Sequence, residues 1–262
     1  MISQDLKRYL RQPSAADDKY SRGVVGFVTG SEEFPGAAIL GVTAAMRTGI
    51  GMVRYVGPRT VGELLLKNRP ETVLGDGRAQ AWVLGSGVPV STENRASLQS
   101  HFEIAELAVV DAGAIEMLDL QSRTGLCVLT PHAGELARLL GISREEVLAN
   151  PENNATLAAV ATGCVVLLKG NTSFIASPDG ELREIRDLSP ALATAGTGDV
   201  LAGIIGALLA ANSSVAIENT FLDIIELGVR LHSAAAEQAA IAGPVSAADV
   251  AEAVRSVIAE LV

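Results

Sequence analysis

Through Lys169 the chain alternates short β-branched runs, each ending at glycine or a polar residue, with helical stretches, and no other feature constrains its fold so tightly. The strand-like runs are Val24–Thr29, Met52–Val56, Ala81–Leu84, Leu107–Val110, Leu126–Leu129 and Cys164–Leu168. Between them the spacing predicts helices over Gly36–Thr48, Arg59–Leu66, Thr92–His101, Gly113–Leu118, Ala133–Leu140, Arg144–Leu148 and Pro151–Thr162. Near-continuous apolar runs suit strands covered on both faces. Their β–α order predicts an α/β fold, a mostly parallel sheet with helices on either side.

After Lys169 the pattern changes. Ser173–Ala176 and Leu182–Ile185 flank Ser177-Pro178-Asp179-Gly180, a strong turn signal, so a late antiparallel hairpin is expected there. Three helices then close the chain, over Asp199–Ala211, Leu222–Ala242 and Ala247–Leu261. With no internal repeat or linker in view, residues 1–262 are expected to form one domain, with 1–22 as an N-terminal extension.

Composition narrows the function class. Residues are 48% hydrophobic but only 3% aromatic, so the core must come from Ala, Val, Leu and Ile. The formal charge of -10 disfavours nucleic acid and anionic lipid, and no Lys/Arg cluster interrupts it. The first residues are charged throughout, unlike a signal peptide, and the longest apolar run, Val200 to Ala211, is too short to span a bilayer. A cytoplasmic protein without membrane partners is expected. Cys127 and Cys164 open apolar runs and read as core residues, and three scattered histidines without H-x-x-x-H argue against a protein-built zinc site.

The most informative segment is Leu192-Ala193-Thr194-Ala195-Gly196-Thr197-Gly198-Asp199-Val200-Leu201-Ala202-Gly203. A small glycine-containing turn leads into a helix that is apolar almost all round. The first amides of so buried a helix need partners, and a phosphate supplies them. An ordinary turn with Asp199 as a favourable first-turn charge is the plain alternative. Against it, a carboxylate beside a phosphate costs repulsion unless it works as a base or beside a metal. The segment therefore points to an enzyme that uses a nucleotide polyphosphate on a small hydroxylated substrate, with Asp199 as catalytic base. It is not a dinucleotide fingerprint, which would need glycine at Leu201, and no Walker motif is present.

Other candidates sit where strands end, the edge at which open α/β sheets bind ligands. Lys169-Gly170-Asn171-Thr172-Ser173 follows one strand, and Thr130-Pro131-His132-Ala133-Gly134-Glu135 follows another. His132 either contacts a substrate or caps the following helix. Gly36–Ala38 suits a helix end against which a flat ligand packs, while Gly85-Ser86-Gly87 and Asp111-Ala112-Gly113 are weaker signals that also fit tight turns. His101 and His232, in helical stretches, attract no functional role, and Glu32 and Glu33 read as solvated.

In order, the segments GSEEFPGAA, VLGSGV, VVDAGAI, LTPHAGEL, VVLLKGNTSFIASPDGE and LATAGTGDVLAG resemble the nucleotide-dependent NAD(P)H-hydrate dehydratases of the ribokinase-like superfamily. The resemblance implies a three-layer αβα sandwich and repair of hydrated NADH and NADPH (NADHX and NADPHX). ADP in bacteria, or ATP in eukaryotes, would phosphorylate the 6-hydroxyl of the damaged ring, and loss of phosphate would restore the dihydropyridine. By the same resemblance Asp199 is the base, and Lys169, Gly170, Asn171, Thr172, Ser173, Gly196, Thr197 and Gly198 hold the nucleotide. Ala38, Gly87, His132 and Asp199 would line the hydrated-cofactor pocket. Mg²⁺ would accompany the phosphates, its protein ligands unassigned. A homotetramer and a separate NAD(P)HX epimerase, not a fused one, are further implications.

Two positions depart from the family pattern. Ala195 stands where Gly is common, which would strain the turn if that residue needs positive φ, and Ser189 stands where Asn is frequent. Two rival readings share the glycine turn: a ribokinase-like kinase of a small alcohol such as a thiamin precursor, and a nucleotide-binding sensor without catalysis.

Overall fold

The computed structural model describes residues 2–216 and 218–262. Among them nine strands form one sheet: β1 (Val24–Val28), β2 (Met52–Tyr55), β3 (Val73–Leu74), β4 (Ala81–Leu84), β5 (Leu107–Val110), β6 (Leu126–Leu129), β7 (Val165–Leu168), β8 (Ser173–Ala176) and β9 (Leu182–Ile185). Their order is β3-β2-β1-β4-β5-β6-β7-β8-β9. The strands β1 to β7 pair in parallel, whereas β8 and β9 add antiparallel, as the hairpin signal predicts.

Alternate side chains of each strand enter two separate cores, the period-2 consequence of the pleat. Val25, Phe27, Val83, Val109 and Leu167 join one core; Val28, Leu84, Val110 and Leu168 join the other. Over the first core lie α2 (Pro35–Arg47), α3 (Arg59–Asn68), α9 (Thr197–Ala211), α10 (Glu218–Ala240) and α11 (Ala247–Leu261). Over the second lie α4 (Thr92–Ile104), α5 (Ala114–Met117), α6 (Ala133–Leu140), α7 (Arg144–Ala149) and α8 (Pro151–Thr162). The layers are helix, sheet, helix. Cys127 and Cys164 are buried free thiols, and burial pushes the Cys127 thiol well above its ordinary range.

The N-terminal residues are tied to this body. Leu6, on the short α1 (Gln4–Lys7), and the following Tyr9 and Leu10 are buried in the first core. The Tyr9 hydroxyl donates to Asp223 of α10 at 3.0 Å, and Asn212 donates to the Tyr9 carbonyl at 3.0 Å.

Several elements differ from the sequence expectation, among them the short α1 described above. β3 was not foreseen, because both of its residues are exposed and only backbone pairing to Arg54 and Tyr55 makes it a strand. α4 runs on to Ile104, and α10 begins at Glu218, upstream of Leu222. Among the described residues no helix is long and apolar enough to cross a membrane.

α9 positions the site. Twelve of its fifteen residues are buried, and α2 crosses it so closely that a Cβ on Gly203 would collide with the Gly41 carbonyl. Backbone cannot yield as a flexible side chain can. Gly203→Ala is therefore expected to destabilise the fold by about 1–3 kcal/mol, the range for overpacking, read as a lower urea midpoint with an unchanged slope.

Candidate functional site

Parallel pairing brings the ends of β4, β5, β6 and β7 to one edge, with Leu84 beside Val110, Val110 beside Leu129 and Leu129 beside Val166. The residues just beyond meet there. Asp111, only 3% exposed, follows β5. Ser86 donates to its Oδ2 at 2.8 Å, Thr130 to its Oδ1 at 2.7 Å, and Lys169 Nζ to Oδ1 at 2.8 Å. Burial alone would raise the Asp111 pKa, but the Lys169 charge and the three donors outweigh it and hold the carboxyl below the usual range. For Lys169 burial favours the neutral amine, while Asp111, Glu135 and Asp199 more than restore the charge. Both partners are ionised, as a buried pair must be to stand.

Opposite lies the start of α9. Gly196 takes φ of 90°, and no side chain caps the helix. The Thr197 hydroxyl instead donates back to the carbonyls of Leu192 and Thr194, at 2.8 and 2.9 Å. The first amides and the positive end of the helix dipole are thus offered to an anion. Ala195 is not among the residues with positive φ, so its departure from glycine strains nothing. Lys169 Nζ reaches this turn: it lies 3.4 Å from where a Cβ on Gly198 would stand. Asp199, partly exposed in the first turn, is pushed up to about 7, first by burial and then by the Asp111 charge, with Lys169 opposing. That value suits a base near neutral pH.

A cavity of about 410 Å³ opens between these groups, and His132, Lys169, Gly170, Asn171, Ser173, Thr197 and Gly198 line it together. The structure thus gathers seven of the expected residues. Asp199 is next to Gly198, Gly196 precedes Thr197, and Thr172 lies in the loop just outside the wall. Ala38 and Gly87 form a separate group: Gly87 packs on Ala37, and Gly30 packs on Ala38. Ala38 itself is fully buried, so its methyl shapes the α2 end from beneath and is not an open contact.

Of the two roles left open by its sequence position, His132 takes the helix cap. Its Nδ1 accepts the Gly134 and Glu135 amides at 3.0 and 3.1 Å, capping α6, while Glu135 accepts the His132 amide at 2.8 Å. Its ring also lines the cavity. Two participants lay outside the expected set. Asp111 had only a weak turn signal. His232, 5% exposed, reaches the cavity wall from α10, where burial and the nearby Lys169 push its pKa down to about 3 and keep the ring neutral. Its helical context signalled only packing.

A profile of the NAD(P)H-hydrate dehydratase family matches residues 25–256. The bifunctional NAD(P)H-hydrate repair enzyme of Mycobacterium tuberculosis is 42% identical over 216 residues, covering 76% of this chain and 43% of the relative. The ADP-dependent (S)-NAD(P)H-hydrate dehydratase of Xanthomonas campestris is 34% identical, covering 87% of this chain and 84% of the relative. The chain thus spans about two-fifths of the length of the bifunctional mycobacterial relatives it matches. Among solved structures, the Bacillus subtilis ADP/ATP-dependent NAD(P)H-hydrate dehydratase co-crystallised with ATP/Mg²⁺ superposes with a TM-score of 0.86 at 27% identity. That match covers 98% of this chain and 96% of the other.

The capping geometry separates two roles of His132 by mutation. His132→Ala is expected to cost about 1 kcal/mol of stability through the lost cap. His132→Asn, which can cap but presents no ring to the cavity, should recover most of it in the same denaturation experiment.

Proposed function

The chain belongs to the NAD(P)H-hydrate dehydratase family, and from that premise we propose that it converts (6S)-NADHX and NADPHX back to NADH and NADPH, spending ADP to AMP and phosphate. The observation that carries this reading is Asp199, raised to about 7 in the first turn of an uncapped helix and facing a fixed ammonium.

Asp199 removes the proton of the ring 6-hydroxyl, and that oxygen attacks the terminal phosphorus of the nucleotide. A new O–P bond forms, and the bond to the bridging oxygen breaks, releasing AMP. Amides from Gly196 to Gly198 and the Lys169 ammonium stabilise the charge on the phosphoryl oxygens. Lys169 to Ser173 and Thr197 hold the nucleotide, while His132 donates from Nε2 to the hydrated cofactor and Gly87 and the α2 end shape its other side. The ring nitrogen then expels phosphate from C6, a far better leaving group than hydroxide, and loss of the C5 proton restores the dihydropyridine.

The site fits a nucleotide-borne Mg²⁺. Among the described residues no group of three His, Cys, Asp or Glu gathers to hold an ion, and both Asp111 oxygens already have donors. Such an ion rides mainly on phosphates and water, and when bound it neutralises charge on them. Residues 1–262 act as one domain, expected to work as a homotetramer in the cytoplasm.

Incubation with hydrated NADH, Mg²⁺ and ADP is expected to restore the nicotinamide absorbance with stoichiometric AMP and phosphate. Asp199→Ala should lower the rate by at least about 10²-fold. Recovery with ATP alone would change the donor, and a stable phosphate ester would instead indicate a small-alcohol kinase. The sign of the pH dependence follows from the base. Asp199 must be ionised, so kcat should fall as pH drops through about 7 and level off above it.

A further inference from the structure

Asp111 is not part of the cavity wall, yet side chains from the ends of three other strands converge on its oxygens. The backbone is shaped to permit this. Ala112, the next residue, holds φ of 51°, a left-handed conformation that alanine rarely adopts. The Asp111 carbonyl lies so close to Gly85 that any Cβ there would collide with it. Strained backbone persists where its surroundings over-determine it, and it collects at functional sites.

The cluster fixes one thing that faces the cavity, the Lys169 ammonium. Nζ is 2.8 Å from Asp111 and beside Gly198. Two more carboxylates act on it, Glu135 from α6 and Asp199 from α9, and its own charge bears on the neutral His232 of α10. A lysine among three carboxylates needs something to decide which one it joins.

We propose that Asp111 is a positioning residue for phosphoryl transfer, anchoring the Lys169 ammonium against the first turn of α9 and keeping it off the Asp199 carboxylate. This role rests on the nucleotide-dependent reading given above. Released from Asp111, Lys169 pairs with Asp199. The base then loses a like charge on one side and gains an opposite charge on the other, and both changes weaken its hold on a proton.

Asp111→Asn tests this, since the amide oxygen still accepts from Ser86 or Thr130 but carries no charge. The acid limb of kcat is expected to move down by about one pH unit, and kcat at pH 8 to fall roughly tenfold or more as the base weakens. The KM for ADP should change less than kcat, because Asp111 is outside the cavity wall and only the Lys169 contact with the nucleotide is disturbed. A carboxyl-carbon NMR titration of the ligand-free protein should show Asp199 titrating lower than in wild type. An unmoved limb and an unmoved Asp199 titration in folded Asp111→Asn protein would overturn the proposal. So would a loss confined to the KM for ADP. Should that variant not fold, Thr130→Val removes one hydroxyl from the anchor with every charge kept, and the same signature is expected in smaller measure. An unchanged kcat and limb there would sink the idea equally. Wild-type protein that repairs no hydrated NADH would refute the functional reading, and the ligand-free titration would still decide the anchor.

Discussion

The site depends on the burial of α9. Its Val, Leu and Ile side chains are each worth about 1.5–3 kcal/mol when fully removed from water, and they face the sheet, α2 and α10 at once. Small residues make this possible, with Gly206 against Val83 and Gly228 of α10 against Ile205. A helix covered on so many sides cannot slide or turn without loss of packing. Its first turn is thereby held beside the strand ends, although nothing in that turn caps it. The core supplies the rigidity, and the turn is left free to meet an anion.

The second constraint is electrostatic. In a chain of net charge -10, attraction for a polyphosphate must be local. Near the cavity the positive features are Lys169 and the uncapped α9 amides, yet Asp111 neutralises the lysine in close contact. What remains is position more than charge: an ammonium held still, near a carboxylate whose burial and like-charged neighbour tune its basicity. The carboxylate and the ammonium reach the site from opposite directions, one from a helix start and one from a strand end. Their separation is therefore set by the packing of α9 on the sheet, the same packing that buries the core.

Much of this was legible in the sequence. Strands covered on both faces read as apolar runs, so β1, β2 and β4 to β7 stood out, and the Pro-Asp-Gly turn marked β8 and β9. Asp199 stood out because an acid in a glycine turn before an apolar helix is out of place, and its carboxyl does lie in the first turn of an uncapped, buried helix. The exposed β3 pair carries no burial pattern and could not be seen. Asp111 gave a weak signal because its partners lie 25, 19 and 58 residues away, at Ser86, Thr130 and Lys169, and only the sheet register joins them. For His232, helical spacing distinguishes inside from outside, and a cavity wall counts as inside. At Ala38 small size at a helix start suggested a surface for a flat ligand, and its methyl is buried against Gly30.

The His132 cap has a thermodynamic consequence. With the Nδ1 lone pair engaged by two amides, the ring proton resides on Nε2, which lies 3.6 Å from a Glu135 carboxylate oxygen. One ring thus closes the start of α6 and borders the cavity, so anything that binds its Nε2 would share a free energy with the cap. An acceptor on Nε2 makes Nδ1 a better partner for the amides, and by reciprocity a frayed α6 weakens the grip on the acceptor. An acceptor held by Nε2 would therefore oppose local opening of α6, and slower amide hydrogen exchange in that helix would report it.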